Sequence, residues 1–323
     1  MKNEFYPLLF EPIFKDRIWG GTRLQSVLNK NIPNTTTGES WELSAVPGDV
    51  SVVSKGAFQG KGLDVLLDEF PSEILGTKVY EQFGKQFPLL FKYLDAREDL
   101  SIQLHPNDEL AQKRHNSFGK TEMWYVLQAD PDSRIIVGFK NPSSPEEYLQ
   151  HLEDKTLVSI LNEIPAQKGD VFFLETGTIH AIGSGIVIAE IQQTSDITYR
   201  IYDFDRKDAN GNTRELHVDL ALEAINYNTV EAKKEYSQTL NKSNPVVSCP
   251  YFKTNVLPLE GVVSKHKTNE SFVVYMCTDG NVDIRVNNQT YSFQKGDTVL
   301  LPAIITDYQL IGEASLLEIF IPY

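Results

Sequence analysis

The sequence predicts a mostly β protein, built from two related β-units with helical insertions. Most of the chain consists of short runs rich in Val, Ile, Phe and Tyr, separated by Gly, Asn, Asp and Pro, as in strands and turns. Two stretches, GDVFFLETGTIH (169–180) and GDTVLLPAIITD (296–307), resemble each other in length and pattern. Helical patterns are few, so helices are expected only as insertions.

The strand pattern recurs from the N-terminal part of the chain to its end. The predicted strands are, in order, SWELSAV, DVSVVSK, LLFKYLDA, LSIQLH, MWYVLQA, RIIVGF, DVFFLE, IVIAEIQ, FVVYMC, VDIRVN, TYSF and TVLLP.

Four stretches have a helical pattern, and one of them carries clear start signals. Ser144 is suited to cap a helix, Pro145 to take its first position, and the two glutamates that follow face the positive end of its dipole. The segment 228–248 is polar and is interpreted as a linker. The predicted helices cover residues 63–76, 107–115, 144–163 and 216–227.

The two similar stretches extend into a longer repeat. An acidic residue, Glu122 or Glu270, precedes the apolar strand upstream of each Gly-Asp pair. From Glu122 to Gly169 is 47 residues and from Glu270 to Gly296 is 26, and the difference is close to the length of the helical segment 144–163. Two copies of one β-unit explain this spacing, although chance similarity of β-hairpins is an alternative. We predict a catalytic domain over residues 1–240 and a degenerate copy over 241–323.

Composition and net charge limit the classes of partner and location that are expected. The 323 residues carry a formal charge of −14 with a pI of about 4.9, which argues against nucleic acid as a partner. A small anionic ligand remains compatible, because one pocket needs only a few cationic groups. Cys249 and Cys277 form no CxxC pattern and are expected to be free thiols. Without a signal-peptide pattern or a long apolar run, no membrane span is expected, and the cytoplasm is the predicted location.

The stretch LSIQLHPND (100–108) places polar residues at alternate positions of an apolar strand. Side chains two residues apart point to the same face of a strand, so Ser101, Gln103 and His105 share one side. Such a stripe is either a solvent face or the lining of a pocket.

Further polar residues favour the pocket. Glu122 precedes the next strand of the first repeat, and His180 follows its Gly-Asp turn. Two histidines and a glutamate suit a divalent first-row ion, and the oxygen of Gln103 can complete the site. A jelly-roll barrel could bring these strands together on its inner face. On spacing alone, ordinary packing histidines remain an equal alternative.

The motifs LSIQLHPND, GKTEMWYVL, ETGTIHAI and ITYRIYDFDR resemble those of type I mannose-6-phosphate isomerases, and WGG (19–21) and GESWELS (38–44) are similar to that family's N-terminal segment. The family belongs to the cupins, so the resemblance implies two cupin barrels (double-stranded β-helices or jelly rolls) with helical insertions. It spans roughly residues 15–220 and continues weakly beyond; the chain's length is similar to that of the compact bacterial branch.

The resemblance also implies roles for individual residues. Gln103, His105, Glu122 and His180 would hold one Zn²⁺ per chain. Arg200 resembles the family's active-site arginine, Glu190 a carboxylate proposed as the proton-transfer base, and Lys120 a substrate-contacting lysine. One departure is Glu175, where the cupin pattern before the metal histidine usually has proline.

The resemblance implies an aldose–ketose isomerase that interconverts mannose 6-phosphate and fructose 6-phosphate, and these residue types suit that chemistry. Proton transfer between C1 and C2 passes through an enediol, whose negative oxygen a divalent cation and an arginine can stabilise. A carboxylate must reach the carbon-bound proton, and an anchor for the phosphate holds the reacting carbons in place. Ser101 and Arg206 are further candidates for phosphate or hydroxyl contacts.

Each assignment has a structural alternative. Lys120 could be solvated at the start of a strand, and Glu190 and Asp196 could only orient other groups. Arg206 could pair with Asp203, Asp205 or Asp208 on a surface loop. In the second copy, His266, Glu270 and Asp307 could retain a metal site, although a structural role is favoured.

Two other function classes share the predicted ligand set. Two histidines and one carboxylate also serve iron in cupin oxygenases, and a sugar-binding cupin could keep a metal without catalysis. The oxygenase hypothesis leaves Arg200 and Lys120 unexplained, and the binding hypothesis leaves the proton-transfer carboxylate unexplained. A small sugar phosphate is the expected partner, and a monomer or weak homodimer the expected assembly.

Overall fold

A computed structural model describes residues 5–207 and 210–322. Within these ranges the protein consists mainly of antiparallel sheets, with short helices between the strands. The prediction of a mostly β fold is confirmed. Asp208, a predicted alternative partner of Arg206, lies outside the described residues.

Two sheets face each other in the first β-unit. Trp124 and Ile188 of one sheet share an apolar cluster with Val137 and Ile182 of the other. In spatial order, the larger sheet contains β15 (Lys233–Lys234), β11 (Val171–Leu174), β8 (Glu122–Ala129), β13 (Ile186–Gln193), β6 (Leu89–Ala96), β3 (Thr37–Leu43) and β2 (Ile13–Gly21). The smaller contains β10 (Leu161–Pro165), β9 (Arg134–Phe139), β12 (His180–Ile182), β7 (Ile102–Leu104) and β14 (Tyr199–Tyr202).

A third sheet holds the strands of the C-terminal part of the chain. Its spatial order is β1 (Leu8–Leu9), β20 (Thr298–Leu301), β18 (Val273–Val286), β21 (Asp307–Phe320), β17 (Lys253–His266) and β16 (Asn244–Ser248), and β19 (Gln289–Gln294) pairs with β18. The short strands β4 (Ala45–Val46) and β5 (Asp49–Val50) form a separate hairpin.

The helices are short and lie between strands. Two of them begin with side-chain caps: Asn107 Oδ1 accepts from the Leu110 amide, and Ser144 Oγ accepts from the Glu147 amide, as predicted for Ser144. The helices are α1 (Arg23–Leu28), α2 (Leu63–Glu69), α3 (Pro71–Leu75), α4 (Thr77–Phe83), α5 (Asp108–His115), α6 (Pro145–Glu153) and α7 (Val218–Ala224), with a 3₁₀ turn over Leu157–Ile160.

Some predicted elements were wrong in extent. The segment 144–163 is not one helix, because α6 ends at Glu153 and the chain continues as a 3₁₀ turn and strand β10. The segment 63–76 breaks at Pro71, which cannot continue the hydrogen-bond ladder of α2 and instead begins α3. The predicted linker 228–248 contains β15 and β16, and α1 and α4 were not predicted.

The repeat predicted from the two Gly-Asp pairs has a structural counterpart. Gly169 donates its amide to the carbonyl of Val126, and Gly296 donates to the carbonyl of Cys277, at distances of 2.8 and 2.9 Å. Both glycines have φ of +92°, a conformation that glycine adopts without steric cost. The same turn therefore precedes β11 in the first unit and β20 in the second.

The larger sheet of the first unit packs its other face toward the third sheet. Phe87 stacks on Phe272 with ring centroids 4.9 Å apart, and both belong to one apolar cluster that spans the two units. The pairing of β1 with β20 also carries Leu8–Leu9 into the third sheet. The predicted division between residues 240 and 241 stays a prediction.

Among the described residues, no helix is long and apolar enough to cross a membrane.

Candidate active site

Four predicted ligands lie between the two sheets of the first unit. Gln103 on β7 and His180 on β12 are directly paired across neighbouring strands. Glu122 begins β8 in the opposite sheet, and His105 follows β7 just before Pro106. The alternation of β7 therefore directs its polar face inward, and the stripe lines a pocket.

The two imidazoles are oriented by backbone carbonyls. His105 Nδ1 donates to the carbonyl of Ile197 at 2.8 Å, and His180 Nδ1 donates to the carbonyl of Thr178 at 2.9 Å. These bonds place the proton on Nδ1 and leave the lone pair on Nε2, as in histidines that bind metals. Burial lowers the pKa of His180 to about 4 and also lowers that of His105, so both rings are neutral near pH 7.

The free imidazole nitrogens converge on one carboxylate. His105 Nε2 lies 3.6 Å from Glu122 Oε2, and His180 Nε2 lies 3.5 Å from Glu122 Oε1. Ligands bonded to one ion at about 2.1 Å are themselves about 3–3.5 Å apart. The three side chains are the single His/Cys/Asp/Glu group with metal-binding geometry in the described ranges.

The Glu122 carboxylate is fully buried, and neither oxygen accepts a hydrogen bond of good geometry from any described residue. Burial raises its pKa to about 7. Lys120 Nζ lies 3.2 Å from both Glu122 Oε2 and His105 Nε2, so an ammonium already occupies part of the space between the ligands. A buried anion with neutral nitrogen donors on either side fits a divalent cation well.

Gln103 also reaches this cluster. Its amide nitrogen lies 3.4 Å from His180 Nε2. Rotation of the amide by about 180° would present the oxygen instead, which is the atom that binds a metal.

A cavity of about 550 Å³ opens beside the cluster. It has a buried apolar wall that includes Trp19, Leu94 and Trp124, and many charged groups face it. Among the predicted site residues, Ser101, Gln103, Lys120, His180, Glu190, Asp196 and Arg200 line it. The volume is that of a typical small-molecule site.

Arg200 lies on β14 at one side of the cavity. Its Nε donates to Ser101 Oγ at 3.3 Å and its Nη1 to the carbonyl of Glu215 at 3.0 Å. Burial lowers the pKa of this guanidinium, and the nearby Arg214 acts in the same direction. The arginine remains charged, since its ordinary pKa is above 12.

Glu190 on β13 is fixed from two neighbouring strands. Trp124 Nε1 on β8 donates to its Oε2 at 2.8 Å, and Lys92 Nζ on β6 lies 3.2 Å from its Oε1. Burial raises the pKa of Glu190, but Lys92 and Lys120 outweigh burial and hold it below its ordinary value. Glu190 is therefore a carboxylate at neutral pH and able to accept a proton.

Comparison with known proteins gives the family. Residues 8–131 match the model of the phosphomannose isomerase type I catalytic domain, and residues 242–321 match that of the mannose-6-phosphate isomerase cupin domain. The chain is 38% identical over 312 residues to mannose-6-phosphate isomerase ManA of Bacillus subtilis, covering 95% of this chain and 96% of that protein. The chain belongs to the type I phosphomannose isomerase family.

Other proteins named as mannose-6-phosphate isomerases match this chain over nearly its full length. The mannose-6-phosphate isomerase of Streptococcus mutans is 37% identical, over 96% of this chain and 97% of that protein. The crystal structure of the mannose 6-phosphate isomerase from B. subtilis superimposes with a TM-score of 0.90 at 34% identity, covering 98% of this chain and 99% of that one. The expectation of the cupin fold is thereby confirmed.

Arg206 and the residues considered in the second copy do not belong to the cavity described above. Arg206 is absent from the described residues that line the cavity; it pairs with Asp203 at 2.6 Å and donates to the carbonyl of Asp99. In the second copy, His266 and Asp307 form an exposed ion pair. The metal site considered there does not form among the described residues.

Eight charged or aromatic residues that line the cavity were not among the predicted site residues, and some of them had a visible signal in the sequence. Lys92 interrupts the apolar run LLFKYLDA just as Arg200 interrupts YRIYDF, and a charge in a buried strand needs a partner or ligand. Trp124 and Arg214 had no such signal, because their roles depend on contacts between distant segments. The remaining five are Asp16, Arg17, Trp19, Glu39 and Trp41.

Proposed function

We propose that the protein is a zinc-dependent isomerase that interconverts mannose 6-phosphate and fructose 6-phosphate. The observation that carries the proposal is the convergence of His105, Glu122 and His180 at a cavity that also contains Glu190 and Arg200. Family membership, with relatives named for this reaction over nearly their full length, supports the same activity.

The bound cation would be held by Gln103, His105, Glu122 and His180, and it supplies positive charge that polarises the oxygens of the reacting sugar carbons. Glu190 takes the proton from C2 of the open-chain aldose and returns it to C1, while a proton moves from O2 to O1. Trp124 and Lys92 keep Glu190 oriented and hold it ionised before it takes the proton from C2. The enediol carries its developing charge on oxygen, where Arg200 offers a fixed donor.

The remaining contacts bind the substrate without taking part in bond changes. Ser101, held by Arg200, offers a hydroxyl to the sugar or its phosphate. Lys120 is buried beside the ligands, which argues against a solvated lysine and favours contact with a substrate oxygen. A direct contact between Arg206 and substrate stays a prediction.

The finer details belong to the same proposal. One Zn²⁺ per chain, a cytoplasmic location and a monomer or weak homodimer are proposed. So is the division into a catalytic domain (1–240) and a degenerate C-terminal copy (241–323).

A coupled assay for fructose 6-phosphate, run with and without a chelator, tests the activity. Chelator-sensitive isomerisation is expected. Oxygen consumption without isomerisation would favour an oxygenase, and sugar binding without turnover would favour a non-catalytic cupin. Either of these results would overturn the proposal.

A further inference from the structure

One side of the cavity carries a second arginine beside Arg200, although the proposed proton transfer uses only Arg200. Arg214 lines the cavity together with Arg200, and its sequence position lies beyond the YRIYDFDR motif. Arg206, only eight residues earlier, turns toward the carbonyl of Asp99 instead.

Asp203 fixes Arg214 in a single orientation. Arg214 Nε donates to Asp203 Oδ2 at 2.7 Å, and Arg214 Nη2 donates to Asp203 Oδ1 at 2.5 Å. Such a two-pronged pair holds the planar guanidinium rigidly and uses one of its edges. The other N–H groups of Arg214 lie outside this edge. Arg206 also donates to Asp203 Oδ1, from Nη2 at 2.6 Å and from Nε at 3.2 Å.

The cluster has excess positive charge. Asp203 is buried and accepts from two arginines, and Arg200 stands close enough for Arg214 to lower its pKa. Arg206 and Arg214 share the carboxylate of Asp203. Arg200 lies near both Asp203 and Glu215, so three guanidinium groups face two carboxylates in a protein whose formal charge is −14. Like charges held together at a cavity wall are stabilised by an anionic ligand, and arginine matches the geometry of phosphate oxygens.

We propose that Arg214 recognises the phosphate group of the sugar substrate and that Asp203 is the positioning residue that presents Arg214 to the cavity. This inference rests on the proposed function for the identity of the substrate. Arg206 supports this arrangement through its own bonds to Asp203.

Equilibrium binding of inorganic phosphate to chelator-treated protein tests the inference separately from catalysis. Arg214→Gln should weaken phosphate binding by about ten- to a hundredfold. Arg214→Lys keeps the positive charge but lacks the planar guanidinium, so its affinity for phosphate should lie between those of wild type and Arg214→Gln. Arg285→Gln removes the same charge from an exposed strand position of the third sheet and should bind phosphate like wild type. Thermal unfolding of each variant checks that the fold persists.

Steady-state kinetics adds the substrate. Arg214→Gln should raise KM for mannose 6-phosphate by about the same factor as the phosphate dissociation constant, with a smaller change in kcat. Unchanged phosphate affinity in a folded Arg214→Gln variant would overturn the inference. If the wild type fails to isomerise mannose 6-phosphate but phosphate binding still depends on Arg214, the anion site stands and only the proposed function falls.

Asp203→Asn tests the positioning role. The substitution removes one negative charge. If Asp203 only neutralised the arginines, phosphate would therefore bind more tightly to the variant. If Asp203 orients Arg214, the variant binds phosphate more weakly even though a negative charge has been removed. Tighter binding would contradict the positioning role.

Discussion

Trp124 connects the two chemical parts of the site. Its ring meets the ring of His180 edge-on with centroids 5.3 Å apart, and its Nε1 donates to Glu190. One rigid side chain therefore sets both the metal-facing histidine and the proposed base. Residues of this kind were not predictable from their motif, because the contact with Glu190 depends on the pairing of β8 with β13.

Arg200→Ala should separate metal binding from turnover. The four proposed ligands do not depend on Arg200, so zinc content should persist. The loss of a donor at the developing negative charge should lower kcat/KM for mannose 6-phosphate by about a hundred- to a thousandfold. Zinc analysis and the coupled assay measure the two effects, and near-normal kcat/KM would remove Arg200 from the mechanism.

Glu39→Gln should show how strongly one buried carboxylate stabilises the cavity wall. Burial alone would raise the pKa of Glu39, but Lys92, Arg17 and Trp41 hold it at about 2. Because the folded pKa lies below the unfolded value, the stabilisation is present above about pH 4.5 and is lost as the pH falls toward 2.

The variant should therefore lower the free energy of unfolding by up to about 3 kcal/mol at pH 7. Urea unfolding at pH 7 and at lower pH should show the difference between wild type and variant shrinking as the pH falls. A constant difference across this range would contradict the assignment.

At the scale of elements, the start of α4 is docked on the second β-unit. The amides of Thr77 and Lys78 donate to the carbonyls of Asn269 and Glu270 at 3.0 and 3.1 Å. Gly76 permits this approach, since a Cβ there would lie 2.5 Å from the Glu270 carbonyl oxygen. Short helices here serve to join the units.

Gly76→Ala should destabilise the protein more than Gly84→Ala. Both glycines have positive φ, at 95° and 58°, but nothing lies within 4 Å of a Cβ at Gly84. The backbone strain is thus shared, and the clash with Glu270 should add about 1–3 kcal/mol to the effect of Gly76→Ala. Chemical unfolding of both variants measures this difference, and equal losses would show that the docking contact is dispensable.

The elements also show what sequence patterns predict well. LLFKYLDA and RIIVGF form strands with the predicted bounds, at Leu89–Ala96 and Arg134–Phe139, because continuous apolar runs between turn residues have few alternatives. The segment 144–163 was harder, since the strand at Leu161–Pro165 pairs with β9 across the intervening helix. Tertiary pairing there overrides a helical pattern.

At the scale of the whole molecule, the two β-units share one core. The cluster that contains Phe87 also contains Phe272, Val274 and Leu300, and β1 from the N-terminal segment completes the third sheet. The Gly-Asp repeat made the two units recognisable in the sequence. Their packing was not predictable, because it depends on which faces of distant strands are apolar.

Phe272→Ala should destabilise the protein as one unit. Phe272 is fully buried against Phe87, and loss of such a ring costs about 3–5 kcal/mol. Calorimetry should show a single transition in wild type and a single, lower transition in the variant. Two separate transitions, with only one shifted, would show that the units unfold independently.

The account depends most on one cation held by His105, Glu122 and His180. Chelator-treated protein should be titrated with Zn²⁺ while isomerisation of mannose 6-phosphate is followed, with His180→Ala and the exposed-site variant His266→Ala in parallel. Wild type and His266→Ala should regain activity in proportion to added zinc up to one ion per chain, and His180→Ala should bind zinc more weakly by over about a hundredfold. Full isomerase activity in metal-free protein, or unchanged zinc affinity in His180→Ala, would contradict the account.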